Sequence, residues 1–207
     1  MKKTIALSTF IVLLSTSCYS QLKVPNKKKQ KETINTNKSI MNNQDFTTTL
    51  LVSKTPQEVY SAINNPRAWW SIEIDGNTDR INDVFDYHFE NIHKCKVKVL
   101  ELVPNKKVVW QILENDFNFT KDKTEWVNTK VVYDISEQNG KTQLTFTHIG
   151  LVPEYECYEA CNQGWTHYIQ SSLKKYITSG EGEPNKTGAP QTETEKKLKS
   201  ESSTIGH

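Results

Sequence analysis

Residues 156–180 read ECYEACNQGWTHYIQSSLKKYITSG, and the spacing inside them decides the fold. Tyr158, Cys161, Trp165, Tyr168, Ile169, Ser172, Leu173 and Tyr176 recur at three-and-four intervals, one stripe of a helix. Glu156, Glu159, Gln163, Gln170 and Lys174 fall largely outside it. The pattern predicts one long amphipathic helix over roughly 155–178, stopping near Gly180. Cys161 then points inward beside Trp165, and Cys157 lies one turn earlier on the same side. Gly164 in mid-helix is about 1 kcal/mol worse than alanine, so its presence asks for close approach to a strand or to a ligand.

Upstream the period changes from helical to alternating. FTTTLLV (46–52) reads as a strand. Thr55, Pro56 and Glu58 then form a helix start, with Thr55 and Glu58 in capping-box spacing. PQEVYSAI continues that helix, and NNPRAWW begins a second short helical piece. A strand series follows: VFDYHFE, CKVKVLELV, KVVWQIL, WVNTKVVYDIS and TQLTFTHIG. Asp75-Gly76 and Asn139-Gly140 read as hairpin turns, Pro104-Asn105-Lys106 as a weaker one. The expected architecture is α+β: one antiparallel sheet of six or seven strands, two short helices after the first strand, and the long helix covering the apolar face.

The ends differ in composition. MKKTIALSTFIVLLSTSCYSQ has a basic start, an apolar run from Ile5 to Leu14 and small residues after it, the layout of a secretory signal. Cleavage after Ser20 leaves Gln21 first; the alternative is a lipid anchor at Cys18. Export to the periplasm or a lipid-anchored form is the expectation, and a product started at Met41 is cytoplasmic. Residues 21–44 read as a flexible Lys-rich linker, 45–180 as the domain, and 181–207 as a disordered tail. The first 40 residues carry eight Lys against one Glu, whereas residues 41–180 carry fourteen basic and eighteen acidic groups. A domain with scattered positive charge argues against nucleic acid as a partner.

No phosphate loop, nucleophile elbow or paired-acid motif is present in the sequence, and no cofactor is implied. Cys157 and Cys161 supply half of a structural zinc set, and a disulfide between them opposes the direction of helical Cβ bonds. Buried reduced thiols are the expectation, with no metal. His148 shares parity with Leu144 and Phe146 on the last strand, which points it to the inner face near a cavity mouth. A general base there needs a carboxylate partner, with Glu154 and Glu156 as the candidates.

TPQEVYSAINNPRAWW, the strand series and THIGLVPEYECYEACNQGWTHYIQSSLKKYITSGEGEP together resemble the SRPBCC, or START-like, superfamily. Within it the chain is most similar to the branch of activators of the heat-shock protein 90 ATPase. The resemblance spans about Asp45 to Pro184. It rests on Pro56, Glu58 and Val59 with Trp69-Trp70, then Gly164-Trp165, Tyr168, Ser172-Leu173 and Gly180. It implies a birch-pollen-allergen-like helix-grip fold, in which a bent sheet grips the terminal helix around a cavity. Members of the superfamily bind lipids, sterols and hormones or catalyse polyketide cyclisation, without a common catalytic motif. The expected function is enclosure of a small hydrophobic or amphipathic ligand, with Trp70, Tyr87, Trp110, His148, Trp165 and Tyr168 at the cavity and no catalytic residue. The alternatives are a chaperone co-factor, which requires a cytosolic product, and a cyclase or lyase that uses His148.

Overall fold

The computed structural model describes residues 44–186 and 188–205. The expected signal segment with Cys18, and the expected linker with Met41 up to residue 43, lie outside them. Strand β1 (Phe46–Val52) buries Phe46, Leu50 and Val52 and turns Thr47, Thr49 and Leu51 outward. Helix α1 (Pro56–Ile63) starts on the expected capping box: Thr55 Oγ1 accepts from the Glu58 N–H, and Glu58 accepts from the Thr55 N–H. A 3-10 turn at Pro66–Ala68 follows and delivers Trp69 and Trp70 into the interior.

The sheet then runs through β2 (Asp75–Gly76), β3 (Val84–Phe89), β4 (His93–Val103), β5 (Lys107–Phe117), β6 (Lys130–Gln138) and β7 (Lys141–Ile149). All pairings are antiparallel and the order is β1-β7-β6-β5-β4-β3-β2. Asn139 and Gly140 make the tight β6–β7 turn, both with positive φ (51° and 73°), as a two-residue hairpin requires. Asp75-Gly76 is not a hairpin turn. It pairs with Asp86 and Phe85 as the edge strand, and the Arg67 guanidinium donates to the carbonyls of Ile74 and Gly76. Gly76 is needed there because a Cβ would stand 2.5 Å from the Val84 carbonyl. Register shifts in the β4–β5 pair, at Lys96/Val97 and Val99/Glu101, are the kind of irregularity that bends a strand and deepens sheet twist.

The terminal helix is not uniform. It is α2 (Tyr158–His167), a π-helical stretch at Tyr168–Leu173, and α3 (Lys174–Ser179), ended by Gly180 at φ 82°. Trp165, Ile169, Leu173 and Ile177 are buried along it at strict intervals of four. In an α-helix such a row drifts by about 40° at each step. The wider π turn holds it in line, and so Ile177 is buried where the sequence pattern had placed Tyr176. Across the chain, Glu125 fixes the helix start: its two carboxylate oxygens accept from the N–H groups of Glu156 (2.6 Å) and Cys157 (2.9 Å). An anion at a helix N-terminus satisfies orphan donors and complements the dipole.

The expectation of a disordered tail over 181–207 is corrected for its described residues, 181–186 and 188–205. Ser172 Oγ donates to the Trp69 carbonyl and accepts from the Glu183 N–H, while Gly182 packs so tightly on Ala68 that a Cβ would sit 2.2 Å from its carbonyl oxygen. Asn185 exchanges backbone hydrogen bonds with Trp70 and Ile72. The chain then forms α4 (Glu193–Ile205), capped by a Thr192–Glu195 box. Composition hid this element because Leu198 is the one apolar residue of α4 known to pack against the core. Its order comes from docking rather than from an apolar stripe of its own.

Candidate functional site

A continuous aromatic stack runs from the inner face of the sheet to helix α2. Tyr87 stacks on Trp70 (4.4 Å between centroids), Trp70 leans on Trp165 (5.1 Å), and Trp165 stacks on Trp126 (5.8 Å). These four rings line a cavity of about 60 Å³ between the sheet and α2. Phe89, His93 and Phe117 complete its sheet side, Cys161, Gly164 and Tyr168 its helix side, and Glu195 and Leu198 of α4 its mouth. Small-molecule pockets commonly run to about 300–1,000 Å³, so with α4 in place this one is narrow.

Four of the six residues expected at the cavity border it: Trp70, Tyr87, Trp165 and Tyr168. Trp110 and His148 do not. Trp110 is fully buried one layer behind, parallel to Trp69 (10° between planes) and edge-on to Tyr133 and Phe85. Its alternation on β5 is correct, but Trp70 is interposed (6.1 Å, 14°). His148 is likewise fully buried, not at the mouth, because Trp165 covers it.

The surroundings of His148 determine its chemistry. Trp165 Nε1–H donates to His148 Nδ1 (3.0 Å), so the neutral ring carries its proton on Nε2 and gives it to Thr129 Oγ1 (2.8 Å). Thr129 in turn donates to the Trp126 carbonyl (2.5 Å). Burial, and then the nearby His93, lower the His148 pKa to about 3. Both nitrogens are occupied and neither Glu154 nor Glu156 bonds to it; Glu156 instead accepts from the Lys121 N–H. The arrangement is a structural relay that orients Trp165.

His93 is the histidine that sequence reasoning missed. It borders the cavity, hydrogen-bonds Asn115 Oδ1 through Nε2 (2.9 Å), and packs on Phe117 and Trp126. Burial lowers its pKa to about 4, against the opposing effect of the Asn115 bond. Its alternation with Cys95 and Val97 on β4 was the available signal, but the strand reading began two residues late. Cys95, Cys157 and Cys161 are buried free thiols outside any disulfide, and burial raises the Cys161 thiol well above its ordinary value. Among the described residues no group of three or more His, Cys, Asp or Glu is arranged to hold a metal ion.

Gly164 has nothing within 4 Å of where its Cβ would stand, so no strand approaches it; it borders the cavity. Gly164→Ala is therefore expected to stabilise the fold by up to about 1 kcal/mol, read as a raised midpoint in urea. The added methyl narrows the cavity, so any ligand bound there should bind more weakly to the more stable protein.

The family model described as Activator of Hsp90 ATPase homolog 1-like protein matches residues 53–178, more than half of the chain. Among solved structures, the Aha1 dimer of Colwellia psychrerythraea is similar over 67% of this chain and 99% of that one, at 22% identity and a TM-score of 0.55. The protein MLL2253 of Mesorhizobium loti is similar over 64% of this chain and 96% of its own, at 15% identity and a TM-score of 0.50. Both likenesses are of fold. No curated protein sequence matches.

Proposed function

Because the chain belongs to the family of Activator of Hsp90 ATPase homolog 1-like proteins, we propose that it uses the helix-grip fold to enclose a small hydrophobic or amphipathic ligand between sheet and helix α2. The observation that carries this reading is the stack of Tyr87, Trp70, Trp165 and Trp126, which runs from sheet to helix α2 around the cavity beside the gap left by Gly164. Apolar burial contributes about 25 cal/mol per Å² removed from water. The hydroxyls of Tyr87 and Tyr168 select orientation; burial pushes both pKa values well above the ordinary range, which keeps them as donors. The test is native mass spectrometry after incubation with a lipid extract from the host. A retained small ligand, lost on Trp70→Ala, is the expected result; an empty protein at all extract concentrations overturns the reading.

A chaperone co-factor role is the second reading, favoured by the name of the matching family. It requires a cytosolic product. N-terminal sequencing of the native protein separates the two: a start at Gln21 or a lipidated Cys18 removes it, and a start at Met41 favours it. A cyclase or lyase that uses His148 lacks support, since both ring nitrogens are engaged and Trp165 stands between it and the cavity.

A further inference from the structure

The mouth of the cavity is filled by the chain's own α4, and the way it is filled is informative. Leu198 packs against the core edge, and Glu195 Oε1 accepts from the Tyr168 hydroxyl (3.3 Å). The other Glu195 oxygen is used at home, accepting from the N–H groups of Gln191 and Thr192. The helix cap therefore survives if the carboxylate leaves Tyr168. Beyond these two side chains the contacts of α4 include half-buried hydrogen bonds of Thr194 with Gln163 and of Lys199 with the Gly188 carbonyl, and an exposed ion pair of Lys199 with Glu90. None of residues 193–203 is fully buried. Exposed ion pairs hold little and are screened by salt.

The donors at the mouth outnumber what Glu195 satisfies. Asn185 is fully buried beside the Tyr168 hydroxyl; its amide makes no well-aligned hydrogen bond among the described residues, and only its looser interaction with Tyr168 opposes the rise of that hydroxyl's pKa. Tyr87 lines the same cavity and lies close enough to feel the charge of Glu195. An unpaired buried amide is unfavourable. The Tyr168 hydroxyl, with the Asn185 amide beside it, stands where one carboxylate oxygen now sits, at the mouth of an aromatic cleft that Tyr87 also lines and that Leu198 enters.

We propose that the cavity is a site for an amphipathic monocarboxylate, and that Glu195 and Leu198 of α4 occupy its mouth as an internal competitor. This rests on the ligand-enclosing reading above and adds the headgroup and its regulation. The incoming carboxylate takes the hydroxyls of Tyr168 and Tyr87 and the amide of Asn185, and its alkyl chain replaces Leu198 against the aromatic wall. Helix α4 is displaced intact.

The test uses the full chain, with octanoate and octanol as matched probes and the fluorescence of the cavity tryptophans as readout. Octanoate is expected to bind the wild type more tightly than octanol. Leu198→Ser should tighten both by roughly tenfold, Glu195→Gln should tighten octanoate selectively, and Tyr168→Phe should erase the preference while leaving octanol binding. Amide exchange over 193–205 should accelerate when the wild type is saturated with octanoate. If octanol binds while octanoate gains nothing in either α4 variant, the carboxylate site and the competitor are overturned and the ligand cavity stands. If neither probe binds any of the four chains, the ligand cavity itself fails.

Discussion

Lowering the pH from 8 to 5 is expected to remove about 4 kcal/mol of folding stability through two histidines. His93 and His148 are held neutral, with pKa values lowered from 6.5 to about 4 and about 3. In the unfolded chain both protonate near pH 6.5, so between that value and the folded pKa the unfolded state carries the extra protons. Stability is thus fully present above pH 6.5 and falls as the pH falls, levelling off near pH 3–4. At pH 5 each group contributes about 2 kcal/mol of the loss, taking roughly 1.4 kcal/mol per pH unit. Urea melts at pH 8, 6 and 5 measure it directly. His93→Gln/His148→Gln should start lower at pH 8, where the bonds to Asn115, Thr129 and Trp165 are disturbed, and should lose less on acidification. An unchanged slope in the double variant would mean that other groups carry the acid sensitivity.

The second large effect lies behind the cavity. Trp110→Ala is expected to destabilise the fold by about 3–5 kcal/mol, the range for an indole-to-methyl truncation in a packed core. Trp69, Trp70, Phe85 and Tyr133 all lean on this ring, so the space it leaves cannot collapse easily. Trp110→Phe should be far milder, because the indole N–H is buried without a partner among the described residues and its loss forfeits none of their bonds. Added indole should restore part of the alanine variant's stability, as apolar cavities accept matching solutes. Thermal melts with and without indole provide the measurement. A loss below about 1 kcal/mol for the alanine variant would place Trp110 at a compliant surface, contrary to its full burial.

The helix-grip frame was legible because its signals are local. Thr55, Pro56 and Glu58 start α1, Asn139-Gly140 turns the β6–β7 hairpin, and the stripe through Cys161, Trp165 and Ile169 marks the covering helix. Depth was not legible. Alternation places Trp110 and His148 on the inner face, but the layer each occupies depends on Trp70 and Trp165, which arrive from elsewhere in the chain. Asp75-Gly76 carries turn chemistry yet serves as an edge strand, because Arg67 takes up the Ile74 and Gly76 carbonyls on either side of Asp75. The docking of α4 was invisible for the same reason: Leu198 and Glu195 gain meaning only beside Tyr168, and a polar tail gives no sign of what it leans on.

The pairing of β1 with β7 has a consequence for how the molecule is made. Phe46 lies opposite His148, at nearly the full span of the sheet in sequence, while β3 to β7 each join their predecessor through nearby contacts. During synthesis the first strand emerges early and waits until the last is out before its ladder can close. Contacts of such long range slow the search for the native state. The waiting strand is also an open β edge, and for that interval it is the part of the chain most prone to aggregate.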